Sequence, residues 1–195
     1  LILFQSFKQE LQILTMNERT FYWNSPKELA QKVIKLDKIE RRKFFQSLEM
    51  HDVPMGSLMG FTKIQIDDDG RVSFYCKPQE YHYNPVGSVH GGFAATLLDS
   101  CNGVTAQCNL DKGFISLTLD LKVNYLRPMT ADTGEVVATG NITKSGRKVI
   151  FVNGELKDKN NKLSEICKRN KLKSGGKCEV RYERLVEYLQ KYGED

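Results

Sequence analysis

Residues 91–109, GGFAATLLDSCNGVTAQCN, read as a single helix with apolar or small side chains on nearly every side. Such a helix has no polar face to turn to water, so something else in the chain must enclose it. One residue sits badly with that demand. Asp99 falls two turns in, among Ala, Leu and Cys, where an ionised carboxylate is costly unless it is paired or serves a purpose.

The flanking sequence supplies the enclosing element. GFTKIQI and RVSFYCK, on either side of the acidic turn DDDG at 67–70, predict a hairpin. After the helix, FISLTLDLKVNYLRP alternates Leu117, Leu119, Leu121 and Val123 against Thr118, Asp120, Lys122 and Asn124, the two-residue period of a strand. GEVVATGNITK and RKVIFVNGELKD follow, joined at the turn KSGR, and DKNNK closes the second. A sixth strand is expected from Leu163. Upstream, Ser25-Pro26 reads as an N-cap followed by proline in the first turn, with one or two helices between residues 26 and 50. Downstream, GG at 175–176 precedes EVRYERLVEYLQKYGED, whose Tyr182, Leu185, Val186, Leu189 and Tyr192 predict an amphipathic C-terminal helix. The class is therefore α+β: a curved antiparallel sheet wrapped around one long apolar helix, with extra N- and C-terminal helices. The expected division is a helical extension over 1–54, the sheet-and-helix domain over 55–172 and a helical appendage over 173–195.

At 195 residues the chain suits one core domain with appendages. It holds no run of 18 apolar residues, and LILFQSFKQELQIL turns polar too early for a signal peptide, so a cytoplasmic protein off the membrane is expected. The start without Met suggests processing, and the first residues receive no functional weight. Five cysteines in no CxxC pair, without His at ligand spacing, read as reduced thiols and not as a metal site. The net charge of +5 is concentrated between Lys144 and Lys177, which suits a polyanionic partner or a solvated basic surface equally well.

The ordered set Asn84, Val89-His90-Gly91-Gly92, Ala95-Thr96-Leu97-Leu98-Asp99 and then Leu119 through Tyr125-Leu126-Arg127-Pro128 resembles the PaaI-like acyl-CoA thioesterases of the hotdog superfamily, over roughly residues 55–160. That resemblance implies a hotdog fold and hydrolysis of an acyl-CoA thioester to acid and CoA, with CoA as part of the substrate and no further cofactor. It implies Asp99 as general base or nucleophile and the Gly91 amide, with Gly92 beside it, as oxyanion donors. Asn84 would orient water or carbonyl, and Thr118 would hold the water. His90 is either a direct site residue or only the helix start. Val89 would lie against the substrate, and Arg147 and Lys148 at the hairpin turn would meet the CoA phosphates.

Helix geometry adds a constraint. Gly92 and Asp99 share a face but lie roughly 10 Å apart along the axis, at 1.5 Å per residue, too far to serve one carbonyl. Two antiparallel helices of a two-fold dimer would bring them together, so a homodimer, or a tetramer of two dimers, is expected. The rival function is a non-catalytic acyl-CoA sensor with residues 26–50 turned to a regulatory partner or DNA. Keeping both Asp99 and Asn84 argues against it, and the acidic residues in DKIERRKFF argue against nucleic acid. A hotdog hydratase would need an acid partner for His90 that the sequence does not place.

Overall fold

The computed structural model describes residues 17–49, 52–158 and 185–190. Two helices lead in, α1 at Pro26–Val33 and α2 at Lys38–Ser47. Pro26 starts the first, as expected; Asp37 caps the second by accepting from the Glu40 N–H, while the Glu40 carboxylate accepts from the Asp37 N–H. A short helix that the sequence reading did not separate, α3 at Pro54–Met59, ends at Gly60, whose φ of 67° is the left-handed stop glycine adopts readily. The hairpin follows as β1, Phe61–Ile66, and β2, Val72–Cys76.

The central helix, α4, runs Gly91–Gln107, with β3 at Phe114–Asp120, β4 at Val136–Ser145 and β5 at Val149–Asp158. A sixth strand, β6, occupies Leu185–Gln190 and completes a sheet in the order β1-β2-β4-β5-β6-β3, antiparallel throughout. This corrects the expected C-terminal helix over these residues. Leu185, Val186 and Leu189 satisfy helical spacing, but the same six residues also fit a strand. β3 and β5 would otherwise present unpaired backbone edges to each other, and β6 pairs with both. The sixth strand expected from Leu163 lies outside the described residues, as do Cys167 and Cys178.

The sheet curls around α4 as expected. Phe93, Ala94, Leu97, Leu98 and Cys101 of the helix are all at most 4% exposed and pack with Phe74, Val136 and Ala138 from the strands. Closest approach occurs at Gly140 and Gly154, paired across β4 and β5: a Cβ on Gly140 would lie 2.3 Å from Thr105 Oγ1, and one on Gly154 2.8 Å from the Asn102 amide. Only glycine admits the helix at that depth.

The leading helices are fastened to the far end of α4 by Arg41. Its guanidinium is fully buried and donates to the carbonyls of Val33, Gln107 and Phe114. The cation thereby covers orphan acceptors at a helix C-terminus, where positive charge is favourable. Burial also lowers the Arg41 pKa from its ordinary value. In the long run FISLTLDLKVNYLRP, strand structure stops at Asp120, with a register shift between Thr118 and Asp120. Leu121 and Val123 nevertheless pack on the core from irregular backbone, so the alternation marks burial beyond the strand itself.

Candidate active site

The start of α4 is built by the loop before it. Asn84 Oδ1 accepts from the N–H groups of Val86 and Ser88, its Nδ2 donates to Ser88 Oγ at 3.1 Å, and Gly87 at φ 82° closes the turn. The structure thus employs the Asn84 side chain in the turn. Val89, expected at the substrate, is 7% exposed and belongs to the core, with its N–H on the Met129 carbonyl. The His90 N–H donates to the His82 carbonyl at 2.8 Å, which fixes where the helix begins.

His90 is the N-cap. Its Nδ1 accepts from the Gly92 N–H at 2.8 Å, so the neutral ring carries its proton on Nε2. This uses the amide of Gly92, one of the two expected oxyanion donors. The Gly91 N–H has no acceptor among the described residues and keeps that capacity, at the positive end of a helix 17 residues long. Tyr125 covers Gly91: its hydroxyl donates to the Gly91 carbonyl at 3.1 Å, and a Cβ there would lie 3.1 Å from the ring. Tyr125 stood in the sequence pattern without an assigned part.

Two turns on, Asp99 is half-buried on α4, next to the buried Leu98. Thr118 Oγ1 of β3 donates to Asp99 Oδ1 at 2.9 Å. The structure therefore joins the two residues that the sequence placed 19 positions apart. Asp99 opens on a cavity of about 280 Å³ between α4 and the leading helices, whose walls include Phe45, Leu48 and Met55. Sequence reading missed this cavity because its far wall depends on where α2 and α3 dock. Ser100, Gly103, Val104 and Gln107 line it beside Asp99 at helical spacing, a stripe legible only once the facing element is known.

Arg147 and Lys148 are exposed at the tip between β4 and β5, and neither lines this cavity. The thiols of Cys76, Cys101 and Cys108 are free and buried, and burial pushes each up to about 12, so none is an available nucleophile at neutral pH. Among the described residues no group of three His, Cys, Asp or Glu side chains could hold a metal ion, and no helix is long and apolar enough to cross a membrane.

An antiparallel sheet curled around a single helix, with a carboxylate and an open helix N-terminus along that helix, defines a hotdog domain. Residues 86–165 match the family model described as the thioesterase superfamily. Among curated proteins the chain is similar to acyl-coenzyme A thioesterase 13 of Homo sapiens, 32% identical over 91 residues, covering 46% of this chain and 63% of the relative. Among solved structures it resembles a thioesterase from Haemophilus influenzae (17% identity, 80% of this chain and 92% of the other, TM-score 0.57). It also resembles a Bacillus halodurans protein crystallised with CoA (21% identity, 83% and 94%, TM-score 0.56). The two structural likenesses concern the fold.

Proposed function

We propose that the protein hydrolyses an acyl-CoA thioester, with Asp99 as the base. The observation that carries this reading is the Asp99–Thr118 pair, a half-buried carboxylate oriented by a hydroxyl at the edge of a cavity, on a helix otherwise given to packing. Thr118 and Asp99 would hold a water. Asp99 takes its proton as the oxygen attacks the thioester carbon, the carbonyl becomes an oxyanion that accepts from the Gly91 N–H, and collapse of the tetrahedral intermediate breaks the C–S bond to release CoA thiolate. Covalent attack by Asp99 itself would use the same geometry, followed by hydrolysis of the anhydride.

From Gly91 to Asp99 the helix rises about 12 Å, so donor and base for one carbonyl come from two chains in this reading. β3 supports a dimer: it is an edge strand of the sheet, and Leu117 and Leu119 on it are 51% and 46% exposed. Arg147 and Lys148 are retained as candidate phosphate contacts on the strength of their exposed position beside one another. Asn84 contributes through the loop it closes, and His90 by capping α4, leaving its Nε2 side exposed.

The test is thiol release from short, medium, long and aryl acyl-CoAs, followed with a thiol reagent. Turnover of any of them is expected. Tight binding across the panel with no released thiol would favour the sensor instead.

A further inference from the structure

The cavity beside Asp99 has a direction and a polar end. Its α4 wall runs from Asp99 to Gln107, a rise of about 12 Å, with Gly103 placing no side chain on the stripe between them. The opposite wall is apolar, with Phe45 and Leu48 from the leading segment and Phe61 and Ile64 from β1. At the end away from Asp99, the Gln107 side chain donates to the Ser116 carbonyl, and Arg41 fixes both Gln107 and the strand beyond it. Ser116 also lines the cavity. It is 7% exposed, and its hydroxyl has no partner among the described residues.

A buried hydroxyl left without a partner is costly. It stands two positions before Thr118 on β3, on the same side of the strand and about 6.6 Å along it. The row Asp99, Thr118, Ser116 therefore leads from the reacting end inward.

We propose that this slot takes the acyl chain of the substrate, and that Ser116 reads a neutral oxygen, a hydroxyl or ketone, about 6.6 Å from the reacting end, near the chain's sixth carbon. The inference rests on Asp99 marking the reacting end. With C–C bonds of about 1.5 Å in a zigzag, the 12 Å slot holds a straight chain of roughly eight to ten carbons. A carboxylate on the chain is disfavoured, because among the described residues no cation lines the slot: Arg41, behind its end, is committed to backbone carbonyls.

The test compares hexanoyl-CoA, 6-hydroxyhexanoyl-CoA and the corresponding ω-carboxy ester on the full chain. The hydroxylated chain is expected to exceed the plain one about tenfold in kcat/KM, with the carboxylate poorest. Ser116→Ala should erase the preference, Ser116→Thr should keep it, and Gly103→Leu should shift the optimum to shorter chains. Equal rates for hydroxylated and plain chains, or a preference that survives Ser116→Ala, would overturn the assignment. If no acyl-CoA is turned over, the hydrolytic reading falls by itself. The Kd ratio of the same two esters on Asp99→Asn, read by calorimetry, still decides the slot.

Discussion

Asp99 and Asn102 stand three positions apart on α4 and meet opposite surroundings. Asp99 faces the leading helices, half-buried, bonded by Thr118 and open to a cavity. Asn102 faces β4 and β5, fully buried over the Gly140–Gly154 pair, and neither its Oδ1 nor its Nδ2 has a partner among the described residues. At Asp99 the helix provides a polar group with space and a hydrogen bond, as chemistry requires. At Asn102, about 60° around, it encloses a polar group as tightly as an apolar one. Polarity on a buried helix is therefore informative about function only together with the room around it.

This contrast can be broken from either side. On the cavity side, Asp99→Asn should lower turnover by about 10² to 10⁴ while leaving the unfolding midpoint nearly unchanged, measured by steady-state kinetics beside thermal melts. A collapse in stability with it would make Asp99 a structural acid. On the sheet side, Gly140→Ala inserts a methyl 2.3 Å from Thr105 Oγ1 and is expected to cost about 2 to 3 kcal/mol in denaturant unfolding.

A third test falls under the helix start. Burial lowers the His82 pKa from 6.5 to about 4, and its ring packs on Phe93 with centroids 4.5 Å apart. Above pH 6.5 both folded and unfolded states hold this histidine neutral. Between 6.5 and about 4 only the unfolded state takes up the proton, so stability falls as pH falls across that window, by about 3 kcal/mol at most. His82→Phe should flatten that part of the pH–stability curve. The smallest effect is expected at Asn102→Ala. Lost packing is offset by relief of an unpartnered amide, so the change should stay within about 1 kcal/mol, well below an ordinary core truncation.

How far the sequence disclosed this arrangement depends on the range of the forces involved. α4, the β1–β2 hairpin and the β4–β5 pair were legible because each carries its own period and its own turn. Asp99 stood out as a charge among apolar neighbours, and Thr118 through its place in the resemblance. Leu185–Gln190 were misread because six residues with apolar positions at both spacings leave the choice to whichever edges await a partner. The cavity was hidden for a related reason. It exists because Arg41, an ordinary cation in the sequence, is buried against three carbonyls and holds the leading helices over α4. Gly92 was expected to share the oxyanion site, but nothing in the sequence tells that the His90 ring turns back to take its amide.

In the proposed hydrolysis, base and oxyanion donor for one thioester come from two chains, and this sharing can be read directly. It is tested by mixing a chain carrying Asp99→Asn with one carrying Gly91→Val, each inactive alone and each folded by circular dichroism, under conditions that let subunits exchange. Random pairing predicts that activity returns to about a quarter of the wild-type level, since half the dimers are mixed and each of those has one intact site. No recovery after verified exchange would place both groups in the same chain and contradict the claim.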